Sequence, residues 1–192
     1  MGDFTFELVP YNNDAQRGKR GTVGPYGDVQ AFYVKPVREP RQGEQFRAEL
    51  VSEHLPETYF TGTGMGGQPS LAKGRMQVDQ TQLDVAYNWR GIRRASRALH
   101  LRYEDRAYTY AAKGSRQGVE LSRDGAKVAL KNGTFVSGVG FHRVGSTHGS
   151  ADEVDLAIAL VLEAVDVESL TLGGAIGGVP FKLLNTGDGG GE

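Results

Sequence analysis

A stretch near the C-terminus, residues 150–165 (SADEVDLAIALVLEAV), limits the folds available to this chain, because residues 156–162 are all apolar. Ser150 and Glu153 have the S-x-x-E spacing of a capping box, which predicts that the segment is a helix. At about 1.5 Å per residue the helix is about 24 Å long, and it lacks the roughly 20 apolar residues of a membrane span. A helix that is apolar on most of its circumference is unstable in water, so we expect the other elements to enclose it.

Acidic residues of this helix share one narrow stripe. At about 100° per residue, the stripe contains Asp152, Asp155, Ala159, Glu163 and Asp166. The favoured interpretation is that these carboxylates form the solvent-facing edge of a core helix, because charged residues are rarely buried unless they are paired. The alternative is that they meet a basic group from elsewhere in the fold. No metal is expected, because no histidine joins the carboxylates at ligand spacing.

The length of 192 residues predicts one domain over residues 1–184, followed by a disordered tail at 185–192. The chain has no cysteine, which excludes disulfides, a thiolate zinc site and a thiol nucleophile. Its first residues, MGDFTFELVP, lack the basic and then apolar pattern of a secretory signal. These features predict a cytoplasmic protein without a transmembrane segment.

The first half of the chain alternates short strand patterns with glycine-rich stretches. Strands are predicted from Phe4 to Leu8, where Pro10 ends the pattern, and over residues 29–37 and 46–51. Residues 11–28 and 54–74 have loop composition and are expected to be flexible. The glycines at 62, 64 and 67 fit G-x-G-x-x-G, but no helix follows them, so neither a nucleotide nor another cofactor is expected.

The second half predicts an almost unbroken series of strands. Residues 83–89 alternate so that Trp89 lies on the apolar face. A turn is predicted at Glu104–Asp105, between two strand patterns. Turns are also predicted at Asp124–Gly125 and Asn132–Gly133, because these dipeptides are strong hairpin signals. Final strands are expected at 169–172 and 179–184.

This order of elements predicts a mainly β (α+β) protein, in which an antiparallel barrel of 9–12 strands encloses the helix at about 150–165. The other architecture that fits is an open sheet or sandwich with the helix on one face.

From Trp89 onward the sequence resembles tubby-like proteins of the LURP-one-related group, which are similar in fold to phospholipid scramblases. The residues that carry the resemblance are ALHLRYEDRAYTYAA, VELSRDGAKVALKNG, FVSGVGFHRVG and ADEVDLAIALVLEAV, together about half of the chain. The resemblance implies a twelve-stranded barrel around a hydrophobic C-terminal helix. It also implies recognition of phosphoinositide head groups through basic side chains.

Basic charge is concentrated between Arg90 and Lys131, a range that contains eleven Lys and Arg residues and only four acids. The strongest candidate for a binding site is the arginine-rich segment of Arg90, Arg93, Arg94 and Arg97, with Arg102 beyond it. Several guanidinium groups on one connection can bind clustered phosphates on a lipid head group or a phosphorylated ligand. The same pattern is also typical of a solvated basic face, or of internal partners for the acidic helix stripe.

No set of residues predicts catalysis. The histidines at 54, 100, 142 and 148 share no ligand spacing, and the chain has no nucleophile elbow. Nucleic-acid binding is not favoured, because no known motif accompanies the charge. The sequence therefore predicts a non-enzymatic barrel that binds an anionic ligand. The alternative is an assembly protein that forms a homo-oligomer or binds a protein partner through its glycine-rich segments.

Overall fold

The computed structural model of the protein describes residues 3–41, 43–87, 98–114 and 118–170. Within these ranges, thirteen strands precede the helix. The strands are β1 (Thr5–Asn12), β2 (Gln16–Thr22), β3 (Asp28–Val34), β4 (Gln45–Ser52), β5 (Thr58–Met65), β6 (Gln68–Pro69), β7 (Arg75–Val78), β8 (Thr81–Tyr87), β9 (Leu99–Tyr103), β10 (Arg106–Gly114), β11 (Gly118–Arg123), β12 (Ala126–Val136) and β13 (Gly140–Gly149).

Twelve of these strands form one closed antiparallel ring in the order β4-β3-β2-β1-β13-β12-β11-β10-β9-β8-β7-β5. The ring closes because β4 also pairs with β5, from Gln45 opposite Thr63 to Leu50 opposite Thr58. The remaining strand, β6, pairs with the end of β5. A closed ring leaves no long unpaired edge, which is the advantage of a barrel over an open sheet. The predicted barrel is confirmed, and the open sheet or sandwich is wrong.

The helix α1 (Glu153–Val161), continued by a 3-10 turn at Leu162–Ala164, fills the interior of the barrel. Every residue from Leu156 to Leu162 is buried. Side chains on each strand alternate between the helix and solvent, as they do on β9, where Leu99 and Leu101 are buried while His100 and Arg102 are exposed. The apolar segment at residues 156–162, which was predicted to be enclosed, therefore lies at the centre of the hydrophobic core.

The helix begins later than the sequence pattern predicts, and the predicted cap is wrong. Asp152 is the N-cap, and its carboxylate accepts hydrogen bonds from the amides of Val154 (3.1 Å) and Asp155 (3.2 Å). In return the Asp155 carboxylate accepts a bond of 3.0 Å from the Asp152 amide, which completes a capping box. The hydroxyl of Ser150 instead donates to the Gly125 carbonyl.

Much of residues 11–28 and 54–74, which were predicted to be loops, belongs to strands. The first range contains the whole of β2, and the second contains the whole of β5. β2 has no apolar alternation, because small and basic residues occupy its inward positions. At Gly18 a side chain would lie 2.1 Å from the carbonyl oxygen of Ala31 on β3, so glycine here serves strand packing and not flexibility.

Two further turn predictions fail. Pro10 does not end β1, which continues to Asn12. The pairing of β1 with β13 ends at Leu8, and residues 9–12 pair with β2 instead. Asn132–Gly133 is not a hairpin turn but lies inside β12, next to an irregularity in the register with β13. The chain reverses five residues later, between Val136 and Gly140.

Several predictions fall outside the described residues, namely Trp89 and the whole segment from 171 onward, including the tail at 185–192. Of the predicted strand at 169–172, Ser169 and Leu170 belong to a 3-10 helix (Glu168–Leu170). In the described part of the chain, no helix has the length and apolar character required to cross a membrane.

Candidate functional site

Arginines of the barrel wall bind the acidic start of the helix. The guanidinium of Arg123 binds both oxygens of the Asp155 carboxylate, at 2.8 and 2.9 Å. Arg106 binds Asp152 at 2.6 Å. A forked contact of this kind orients both partners, so this helix-start cluster fixes where the helix enters the barrel.

The other end of the helix has a second cluster, in which one buried acid meets two cations. The Glu163 carboxylate lies 3.0 Å from the ammonium of Lys19 on β2 and 2.6 Å from the guanidinium of Arg143 on β13. Burial raises the pKa of Glu163, but the attraction of Lys19 and Arg143 outweighs it, so that the pKa lies below its usual value of 4.5.

The two clusters decide between the interpretations of the acidic stripe. Asp155 and Glu163 are buried and paired with basic residues from the wall, so the interpretation of a solvent-facing edge is wrong for them. Lys19, Arg123 and Arg143 are partners that the sequence analysis missed. Nothing in their local patterns distinguishes them from outward-facing cations.

Tyr110 lies beside the helix-end cluster, and its hydroxyl is buried without a hydrogen-bond partner among the described residues. Burial and the charge of Glu163 raise the pKa of Tyr110 well above 10.0. A buried hydroxyl without a partner costs free energy, which its removal would recover.

We therefore expect Tyr110→Phe to change the free energy of unfolding by less than about 1 kcal/mol, or to increase it. Urea denaturation followed by circular dichroism measures this change. A loss above about 2 kcal/mol would contradict it and indicate a hydrogen bond through buried water. Tyr87→Phe is the matched control, because the Tyr87 hydroxyl donates to the Ser169 carbonyl at 2.9 Å and its removal should be destabilising.

The two ends of the barrel differ in charge. One end of the barrel, which we call the acidic end, contains five of the connections between strands. These are residues 23–27, 53–57, 79–80, 104–105 and 124–125. These connections contain six acids and no Lys or Arg, namely Glu53, Glu57, Asp79, Glu104, Asp105 and Asp124. The helix starts at this end.

The opposite, basic end contains the remaining connections between strands. Its described connections contain four Lys and Arg residues, namely Lys35, Arg38, Arg41 and Lys73. The sequence of residues 88–97 and 115–117, which lie outside the described residues, contains five more, namely Arg90, Arg93, Arg94, Arg97 and Arg116. Only three acids, Asp14, Glu39 and Glu44, accompany them. The antiparallel ring thus separates charge that is nearly balanced over the whole chain.

Among the described residues of the basic end, Arg38 is paired with Glu44 at 3.0 Å. Arg41 and Lys73 are exposed and make no ion pair with any other described residue. A cleft of about 670 Å³ also opens here, between residues 70–74, the end of β8 and the chain that follows the helix. Lys73 and Asp166 are the charged residues among the described lining of this cleft, and Lys73 has a left-handed backbone with φ of 54°. A cleft of this size is within the range that accommodates a small ligand.

Of the five residues of the predicted site, the structure describes only Arg102. Arg90, Arg93, Arg94 and Arg97 lie outside the described residues, but the strand ends that their connection joins, Tyr87 and Leu99, are both at the basic end. Arg102 lies on the outer face of β9, opposite Asp84 and two residues before the turn at the acidic end. Arg106 belongs to the helix-start cluster.

Within the described ranges, no three His, Asp or Glu side chains form a group that could hold a metal ion. His100 is exposed on the outer face of β9, as its alternation with Leu99 and Leu101 predicts. Among the described residues, the buried acids Asp155 and Glu163 belong to the two ion-pair clusters.

The fold and charges define a class of protein: a closed twelve-strand barrel filled by one helix, with a basic and an acidic end. Comparison of the chain with protein-family models, curated proteins and solved structures gives no match.

Proposed function

We propose that this protein is a non-enzymatic barrel that binds a phosphate-bearing anionic ligand, such as a phospholipid head group, at its basic end. The observation that carries the proposal is the segregation of charge: in the described connections every Lys and Arg belongs to one end, and the opposite end has six acids and no Lys or Arg. A surface of one charge sign concentrates ligands of the opposite sign and accelerates their association.

The composition of this end supports phosphate as the ligand chemistry. Arg38 and Arg41 belong to its described connections, and the sequence of residues 88–97 and 115–117 adds five arginines and no lysine. The planar guanidinium groups of arginine form forked contacts with phosphate oxygens. The cleft beside Lys73 lies at the same end and supplies a concave surface. Membership of the tubby-like family is part of the same proposal, because a helix-filled barrel with a head-group site is what that resemblance implies. Anionic lipids are abundant on cytoplasmic leaflets, which accords with the predicted cytoplasmic location.

We expect the protein to float with phosphatidylcholine vesicles that contain phosphatidylserine, and not with vesicles of phosphatidylcholine alone. Arg93→Glu with Arg94→Glu should weaken this binding by more than about tenfold, because each basic residue near an anionic surface contributes about 1 kcal/mol. Lys73→Glu tests the cleft in the same assay. Binding of inositol hexakisphosphate, followed by calorimetry, tests a soluble ligand with the same chemistry.

The matched control is Arg20→Glu with Lys127→Glu, which changes the net charge equally but on the outer wall of the barrel. Equal loss of binding in this control would show that only net charge matters, which would contradict a site at the basic end. Arg102→Glu separately tests whether Arg102 belongs to the site. Absence of binding to both vesicles and inositol hexakisphosphate at low salt would remove the proposed function.

The alternative of assembly through residues 11–28 and 54–74 has no specific observation in its favour. These segments form barrel strands whose edges are already bonded to their neighbours.

A further inference from the structure

The hairpin formed by β12 and β13 extends past the point where its neighbours β11 and β1 stop pairing with it. β11 pairs with β12 only as far as Leu130, and β1 pairs with β13 only from Arg143 onward. The pairing between β12 and β13 themselves continues to Val136 opposite Gly140. Residues 132–142, which we call the finger, therefore form a two-stranded extension with no strand paired to it in the described chain. The side chains of Asn12 and Arg17, from the adjacent ends of β1 and β2, donate to the carbonyls of Gly138 and Val139 at its tip. From Asn132 to Val136 it extends roughly 13 Å.

Two large aromatic side chains are exposed on the finger. Phe135 and Phe141 lie opposite each other, with ring centroids 5.0 Å apart. Phe135 is 60% exposed and Phe141 is 43% exposed. A pair of phenylalanines that remains in water on a hairpin leaves apolar area uncovered, which is typical of an interaction surface.

The charges around the finger are positive, which favours an anionic partner. Residues 131–143 include no acid, whereas Lys131 is exposed at the base of the finger. The guanidinium of Arg17, at the end of β2, donates to the Val139 carbonyl near the tip at 3.4 Å. Cations beside exposed aromatic rings match the boundary between anionic head groups and acyl chains.

Other exposed apolar side chains lie at the same end of the barrel. Val34, Val37 and Met65 are exposed at the ends of β3 and β5 or in the connection after β3. The β5–β6 turn packs on that connection, since a side chain at Gly67 would lie 2.5 Å from Pro36 Cδ. Apolar tips and basic charge thus share one rim, which runs from the finger to β5.

We propose that the finger inserts Phe135 and Phe141 into the interface of an anionic phospholipid bilayer. The cations of the basic end then lie at head-group level. This inference rests on the proposed function, and it specifies a bilayer and not a free phosphate as the ligand. A second copy of the chain is the less suitable partner, because contact through the fingers brings two basic ends together and like charges repel.

The test uses the absence of native cysteine. Ser137→Cys, at the tip of the finger, and Asp124→Cys, at the acidic end, are each labelled with nitrobenzoxadiazole and mixed with phosphatidylcholine–phosphatidylserine vesicles. We expect a blue shift, with quenching by nitroxide lipids, for the label at residue 137 only. We also expect Phe135→Ser with Phe141→Ser to reduce vesicle partitioning about tenfold or more, because buried aromatic side chains contribute strongly to interfacial binding.

Val9→Ser with Val144→Ser is the matched control, because these residues are 43% and 40% exposed but lie on the outer wall. We expect this control to bind vesicles as the unchanged protein does. Vesicle binding without a shift at residue 137, and unaffected by the Phe variants, would overturn the insertion but leave the anion site. Binding of inositol hexakisphosphate without vesicle binding would likewise overturn the insertion and leave the anion site. Finger-dependent dimers in sedimentation, with no vesicle binding, would identify a second copy as the partner and overturn the proposal.

Discussion

Ile158→Asp is expected to abolish the cooperative unfolding transition of this protein. Ile158 lies at the centre of α1 and is completely buried within the barrel. A carboxylate at this position would have no cation within the apolar core, and an unpaired buried charge costs several kcal/mol or more. Since a domain is stable by only about 5–15 kcal/mol, the variant should lose most or all of its folding free energy.

Thermal and urea denaturation of Ile158→Asp measure this loss. Ile158→Val is the control, and its expected cost is only about 0.5–1.5 kcal/mol, because it removes one methyl group and adds no charge. A soluble Ile158→Asp protein with a cooperative transition close to that of the unchanged protein would contradict the buried position of the helix.

Glu163→Gln is expected to lower the free energy of unfolding by about 3–5 kcal/mol, because it removes one partner from a buried ion-pair cluster. The change keeps the shape of the side chain but leaves Lys19 and Arg143 facing a neutral amide. Both cations are bound to the same carboxylate oxygen, Oε2, so both lose their partner together. Chemical denaturation at neutral pH measures the loss.

The control for Glu163→Gln removes the whole cluster, by Glu163→Leu with Lys19→Met and Arg143→Met. Replacement of buried ion pairs by apolar side chains of similar volume is often neutral or stabilising, so this triple variant should be more stable than Glu163→Gln. The opposite order of stability would show that the charges serve another structural purpose.

The ion-pair cluster of Glu163 also makes the stability of the protein sensitive to acid. The pKa of Glu163 is lowered in the folded state, so this carboxylate binds a proton more readily in the unfolded chain. Its contribution to stability is therefore present above about pH 4.5 and is lost as the pH falls through the folded-state pKa. Glu163→Gln should lack this part of the acid dependence, which urea titrations at a series of pH values can measure.

The strands of the second half were predictable from local pattern alone. The alternation of Leu99 with His100 predicts which side chain faces the helix, and the turn at Glu104–Asp105 follows from its polar dipeptide. The Asn132–Gly133 turn failed because pairing between β12 and β13 overrides the local turn preference and carries the hairpin past the point where β11 and β1 stop pairing with it. β2 was missed because Lys19 and Gly21 occupy inward positions, opposite the core residues Ala31 and Val29, where an apolar pattern would have indicated a strand.

The helix, its burial and the mainly antiparallel strand composition could be predicted from the sequence, because each follows from hydrophobic spacing over a few residues. The partners of the acidic stripe and the separation of charge between the two ends could not, because they depend on residues that are far apart in the chain. Lys19 and Glu163 are 144 residues apart in the chain, and only the closure of the ring around the helix brings them together. The direction of each strand, set by its pairing, likewise assigns every connection to one end. Electrostatic interactions act through space, so their pattern appears only when the barrel has closed.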